Sequence, residues 1–316
     1  MRPLKRLLLP LCAVAACSVA APALASESLT DFNATLRSLA VNTKGEALLT
    51  YTRSNGKVRH VLVWGAVNAN APLDPAVKQV RFKYDYAAGW GKYRNAKYWA
   101  TFKNACTPYD GPELPYLVAA CKAPDGSYWA VQAWQRSLPL LGFDPWKPSQ
   151  TQFELHVSHW TGELPKLEVY THWTYGGSWQ GLFGRLTYLG NPVHGFGSTG
   201  DGNPRDRYGR NLYIDTFNSA YGPGWRRESG ILAHKPNGTF CHSFVPQKPF
   251  PGYPSQEMRP PAPGEQYRVT VMGPGVTPVI QWVGPGLTSA DRASAASVTA
   301  VFDQLMAGDA RCAAER

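Results

Sequence analysis

Apolar and polar residues alternate with a period of two through most of this sequence, from Ser38 to Val283. Successive side chains of a strand point to opposite faces, so such a pattern buries its apolar half only by forming sheets. Val80-Arg81-Phe82-Lys83-Tyr84-Asp85-Tyr86 alternates without a fault and predicts a strand with one wet face. Glu46–Arg53 and Val58–Trp64 flank Ser54-Asn55-Gly56-Lys57. Asn-Gly between two such runs predicts a hairpin with a type I′ turn, which needs positive φ at both central residues.

Further strands are expected over 116–121 and 127–135, joined across Ala123-Pro124-Asp125-Gly126, then over 152–160 and 167–175. Others follow over 211–217, 230–234, 239–245, 267–272 and 276–283, with a hairpin over Gly190-Asn191. Residues 87–105 fit either a short helix or an aromatic-rich loop. Seven prolines between 246 and 264 exclude helix and central strand, so that segment is expected as an extended surface crossing. A C-terminal helix is predicted at about 289–307: Ser289 can cap it, and Val298, Val301, Phe302, Leu305 and Met306 form one stripe. The expected fold is mainly β, an antiparallel sandwich or Greek-key-like assembly with one C-terminal α-helix. It is read as a single domain over 26–316, a split near Pro139–Pro148 being the alternative.

The first residues give a compartment. Arg2, Lys5 and Arg6 precede an apolar run from Leu7 to Ala21; Pro22 breaks it, and Ala23-Leu24-Ala25 precedes Ser26. That is the three-part form of a secretory signal peptide over 1–25, so the chain is expected to be secreted or extracytoplasmic. In the alternative, Val14-Ala15-Ala16-Cys17 is a lipobox and the protein is lipid-anchored through Cys17. The mature chain keeps Cys106, Cys121, Cys241 and Cys312, an even number that suggests two disulfides in an oxidising compartment. Of three possible pairings the shortest loop joins Cys106 to Cys121, leaving Cys241 with Cys312. No CxxC occurs, which argues against structural zinc. The formal net charge of +10 is scattered, without the Lys/Arg block of a nucleic-acid arm. A basic exported surface favours anionic polymers or lipid headgroups as partners. No second apolar run reaches spanning length, so no transmembrane segment is expected in the mature chain.

Local catalytic motifs are absent: no GxSxG, HExxH, Walker loop or dinucleotide fingerprint. His156 and His159 fall on opposite faces of one strand, whereas His156 and His172 could share a face on neighbouring strands, with His194, Asp215 or His242 as a third ligand. A hydrolase would need two carboxylates, for which Glu154, Glu168, Asp201, Asp206, Asp215 and Glu228 are candidates. Asp201-x-Asn203-x-x-Asp206 offers hard oxygens for Ca²⁺, though Pro204 and the lack of a distal Glu depart from an EF-hand. The aromatics are more suggestive. Trp173, Tyr175 and Trp179 flank Gly176-Gly177, and Trp225 follows Gly222-Pro223-Gly224. Aromatic rings held on turns present flat faces on which sugar rings can lie. The leading expectation is a non-enzymatic binding protein for carbohydrate or cell-envelope polymer. Its site would use Trp173, Tyr175, Trp179 and Trp225 with Asp201, Asn203, Asp206 and Arg207. A secreted hydrolase, or a structural envelope protein without a small ligand, are the alternatives.

Overall fold

The computed structural model describes residues 26–67, 82–193, 197–198, 204–205, 212–231, 238–248, 255, 257–272, 277–292 and 295–306. Residues 1–25, Asp201, Asn203, Asp206, Arg207, His194 and Cys312 lie outside these. Residues 26–160 contribute β1 (Glu27–Ser28), β2 (Thr35–Val41), β3 (Ala47–Thr52), β4 (Val58–Gly65), β5 (Phe82–Asp85), β6 (Thr107–Pro108), β7 (Leu117–Lys122), β8 (Tyr128–Trp134) and β9 (Glu154–Trp160). From there to 285 come β10 (Lys166–Thr174), β11 (Trp179–Tyr188), β12 (Asn191–Pro192), β13 (Gly197–Ser198), β14 (Pro204–Arg205) and β15 (Leu212–Ser219). β16 (Gly222–Ile231), β17 (Thr239–Ser243), β18 (Gln266–Val271) and β19 (Ile280–Pro285) complete the set. Two helices are α1 (Trp90–Tyr93) and α2 (Ala295–Met306).

The fold is mainly antiparallel β with one C-terminal helix, as the alternation predicts. Apart from the small β13–β14 pair, four sheets form two face-to-face pairs. The outer N-terminal sheet, β2-β3-β4-β5, packs on the inner one, β1-β9-β8-β7-β6. Val41, Leu49, Tyr51, Val61 and Val63 of the former meet Trp129, Val131, Leu155 and Val157 of the latter. In the second pair β16-β15-β18-β19 is the inner sheet, and β10-β11-β12, with β17 on β11, is the outer. Leu212, Ile214, Tyr267 and Val269 meet Val169, Leu182 and Phe240 between them. Burying each such side chain contributes about 1.5–3 kcal/mol. The outer face of the second pair is closed by α2, whose Phe302 and Met306 pack on Phe183 and Cys241.

The two inner sheets then pack on each other. Gln132 on β8 grips the backbone of Val279: its Nε2 donates to Val279 O (3.0 Å) and Pro115 O (2.7 Å), and its Oε1 accepts from Val279 N (2.8 Å). Trp134 stands 5.5 Å from Tyr213 on β15, and Gln281 on β19 donates to the Tyr116 hydroxyl. The seam covers β9 at its Glu154–His156 end, and Leu114, Tyr109 and Leu164 cover Trp160 at the other, so all seven positions are buried rather than alternate ones.

Three hairpin turns share one geometry. In Asn42–Glu46, Arg53–Lys57 and Ala123–Ser127 the first residue's N–H donates to the fifth carbonyl, and the fourth residue's N–H returns to the first. That fourth residue is Gly45, Gly56 or Gly126, each at positive φ. This is a type I turn closed by a glycine bulge, so the type I′ turn expected at Asn55-Gly56 is corrected: only Gly56 adopts positive φ. The strand expected near 230–234 begins earlier, and residues 232–234 lie outside the described residues. β16 spans 222–231, so Trp225 sits on a strand and not on a turn. In the segment left open, α1 and a 3₁₀ turn at Tyr98–Thr101 both form. Cys106 and Cys121 are disulfide-bonded, Cα to Cα 5.8 Å. Cys241 is disulfide-bonded too, while its expected partner Cys312 lies outside the described residues.

Candidate functional site

The seam between the inner sheets carries the densest buried charge among the described residues. Asp215 occupies the middle of three strands, opposite Arg227 on β16 and Arg268 on β18. Arg227 Nε donates to Oδ1 (2.7 Å); Arg268 donates to Oδ2 through Nε (2.9 Å) and Nη2 (2.6 Å). Burial alone would raise the Asp215 carboxyl, but the two guanidiniums outweigh it and hold it below the usual range. Each guanidinium also lies over an aromatic ring, Arg227 at 4.4 Å from the Tyr213 centroid and Arg268 at 4.3 Å from Trp225.

A β-bulge makes this possible. Ile214 pairs with Ser229 and Asp215 with Arg227, which leaves Glu228 as the extra residue. Arg227 and Glu228 are both buried because both faces of this sheet are covered: Arg227 turns to the seam beside Asp215 and Tyr213, and Glu228 turns to the outer sheet of the second pair, where β17 lies. Glu228 faces His242, Oε1 to Nε2 3.4 Å. β16 is an edge strand, and the loop after β8 covers it: Leu141 and Gly142 N–H groups donate to the carbonyls of Glu228 and Arg227. Gly142 is required there, at φ 64°, because a Cβ would come within 2.1 Å of the Tyr221 ring.

Across the seam, β9 presents Glu154 and His156. His156 Nδ1 lies 3.0 Å from Ser26 O, and Nε2 lies 3.2 Å from Glu154 Oε2. A carbonyl only accepts, so Nδ1 carries a proton. Burial would raise Glu154, but His156 and Arg136 prevail and hold it low. Arg136 is a third of the way exposed, its Nε 3.4 Å from Glu154, and its carbonyl accepts from Arg227 Nη1 at 2.7 Å.

Two hollows open beside this network. One, of about 250 Å³, is walled by Arg136, Leu138, Leu140, Tyr213 and Arg227. The other, of about 240 Å³, is walled by Tyr116, Trp134, Phe153, Trp225, Arg227 and Arg268. Arg227 and Leu138 belong to both, so together they make one groove along the seam. Every charged side chain in its walls is an arginine.

Compared with known proteins, the chain matches no family model, no curated protein and no solved structure.

Of the residues expected to bind, Trp225 lies in this groove. Trp173, Tyr175 and Trp179 gather instead at the β10–β11 turn, where Thr174 pairs with Trp179 and Trp173 with Gln180. Trp173 lines a separate hollow of about 240 Å³ with His172, Leu287 and Asp291. Burial among Phe183 and Phe302 pushes the His172 imidazole down to about 4. His156 and His172 do not share a face, because β9 and β10 belong to different sheets. Among the described residues no group of three His, Cys, Asp or Glu could hold a metal ion. The candidate carboxylates each have other partners: Glu168 is exposed on β10, Asp215 is spent on two arginines, and Glu154 and Glu228 each face a histidine.

Sequence reasoning missed Arg136, Arg227 and Arg268. The available signal was in Glu154-Leu155-His156-Val157-Ser158-His159-Trp160, a strand whose polar positions after Glu154 are small or aromatic.

Proposed function

We propose that this is an extracytoplasmic binding protein whose groove along the seam holds an acidic saccharide or another acidic envelope polymer. The observation that carries it is the arginine-only charge of the groove, framed by Tyr116, Trp134, Tyr213 and Trp225. Guanidinium groups fixed by Asp215 and by aromatic faces are pre-organised donors for carboxylate, phosphate or sulfate. The aromatic walls suit sugar C–H faces. Export is supported by the disulfide-bonded Cys106–Cys121 pair and by the signal-like residues 1–25.

The test is calorimetric titration with oligogalacturonate against a neutral dextran oligomer of equal length. The acidic oligomer binds and the neutral one does not. Arg136→Gln, which removes a guanidinium one third exposed and leaves the Asp215 network intact, weakens binding about tenfold or more, as expected for one charge-assisted hydrogen bond. Equal affinity of Arg136→Gln and the parent, or preference for the neutral oligomer, removes the proposal.

A further inference from the structure

A second surface lies on the opposite side of the molecule's N-terminal half, on the outer face of β2-β3-β4-β5. Residues 87–104 fold over that face as a lobe. The Trp99 ring stacks on His60 of β4, centroids 4.1 Å apart, and Lys92 Nζ sits 4.2 Å above the Trp64 ring. The lobe is held from below by two buried carboxylates. Glu46 accepts from Lys92, Tyr93, Tyr98 and Asn42. Asp85 accepts the N–H groups of Ala87, Gly89 and Lys92. Asn104 accepts from Val41 and Cys106 N–H, and the disulfide ties Cys106 to β7. Ala88 and Arg94 take positive φ within it, 57° and 54°. Such strain persists only where the surroundings over-determine it.

What the lobe presents outward is unusual for so well-fixed a segment. Trp90 is 50% exposed and Trp99 41%. Arg94, Lys97 and Lys103 are exposed, as is Lys83, which pairs with Trp64 across β4 and β5. None of these four cations has an ion-pair partner among the described residues. Both acids of this stretch of chain and its support, Asp85 and Glu46, are buried and engaged, and no other acidic residue occurs between Lys83 and Tyr109. Unpaired cations with no competing carboxylate call for an anionic partner. Exposed indoles among them favour a partner with both a charged and an apolar layer, because Trp is most stable at the boundary between headgroups and acyl chains. A soluble polyanion satisfies the lysines but gives no reason for two half-exposed tryptophans on the same lobe.

We infer that the 83–104 lobe docks the protein on an anionic lipid bilayer, with Trp90 and Trp99 at the interface and Lys83, Arg94, Lys97 and Lys103 over the headgroups. The contact is peripheral: no described helix is long and apolar enough to cross a membrane. It is independent of the groove at the seam, so either can fail alone.

The experiment is vesicle co-sedimentation of the mature protein with liposomes of phosphatidylcholine containing roughly 30% phosphatidylglycerol, and with phosphatidylcholine alone. Binding is expected to the anionic vesicles, at least about tenfold weaker to neutral ones, and to fall with added salt. The combined variant Lys83→Gln, Arg94→Gln, Lys97→Gln, Lys103→Gln loses about tenfold or more, each cation contributing near the surface. Trp90→Ser, which removes an exposed ring, also weakens binding, with an unchanged melting temperature showing that the fold is intact. Equal binding to neutral vesicles, or unaltered binding by either variant, overturns the inference. So does binding to soluble oligogalacturonate that loses as much in the four-cation variant while Trp90→Ser has no effect on vesicles; that outcome assigns the lobe to a polymer.

Discussion

Replacing Asp215 with alanine tests the ionic centre of the seam directly. The change leaves Arg227, whose side chain is 1% exposed, and Arg268, at 13%, without their carboxylate. Removing one member of a buried pair typically costs 3–5 kcal/mol, because the remaining charge stays desolvated. Here one carboxylate serves two arginines, which argues for the upper part of that range. Against this, Arg227 keeps the Arg136 carbonyl and the Tyr213 ring, and Arg268 borders a hollow that water can enter. The balance is a loss of about 4 kcal/mol. For a chain of this size that corresponds to a fall of roughly 10 °C in melting temperature. The assay is urea unfolding followed by far-ultraviolet circular dichroism, with the disulfides intact. An unchanged urea slope confirms that stability, not the unfolded state, has altered. Asp215→Asn keeps the shape and one acceptor and should lose about half as much. Because the folded carboxyl titrates below its usual 3.8, its contribution is complete above that value and disappears as pH falls through the lower folded one. The gap between variant and parent should therefore close only in strong acid. A loss under about 1 kcal/mol at neutral pH would show both arginines to be solvated and refute the description of a dry ionic centre.

Three further outcomes follow from local geometry. Cys106→Ser with Cys121→Ser opens a loop of sequence separation 15 and should lower stability by about 3 kcal/mol in urea. Gly142→Ala must move the Tyr221 ring or the β16 contact, since its Cβ would meet that ring at 2.1 Å; a loss of about 2–4 kcal/mol is expected by thermal unfolding. Glu46 accepts four donors against a burial penalty that alone would raise it, and the carboxyl is held down at about 2. Its stabilisation is present above the ordinary value near 4.5 and is lost as pH falls towards 2, so an acid titration of stability for Glu46→Gln should be flatter than the parent's over that window.

The parts of the fold legible in sequence are those in which one strand faces one core. β5 alternates visibly because the edge of the outer N-terminal sheet faces one apolar core, and the turns between Asn42 and Ser127 carry a glycine at a fixed place. The helix stripe of Phe302 and Met306 was legible for the same reason: one face, one partner. β9 and β16 were harder. β9 is buried on both sides, so its polar residues signal a second partner rather than water. β16 begins with Gly222-Pro223-Gly224, a turn signal by composition, and then places Arg227 and Glu228 on a bulge, which no periodicity announces. Trp225 stands out for its neighbours in sequence, yet its place in the groove depends on Arg268, two strands away in the same sheet and remote in sequence. The gathering of Arg136, Arg227 and Arg268 depends on two sheets meeting face to face, and that pairing is written in no local pattern.

The polarity of the seam itself argues for a role other than holding the halves together. The cores on either side of it are built mainly of leucine, valine and aromatic side chains against one another. The same backbone could close the seam in that way. Replacing a buried ionic cluster by well-packed apolar residues is commonly neutral or stabilising by about 1–4 kcal/mol. A variant with Asp215→Leu, Arg227→Met and Arg268→Met should therefore fold at least as stably as the parent, within about 1 kcal/mol or better. It should nevertheless lose affinity for the acidic oligomer, because two of the three arginines in the groove walls are gone. Stability kept and binding lost would show that the charges serve a ligand. Stability lost together with binding would show instead that the cluster fixes how the two inner sheets are seated, and that the groove is a by-product of that seating.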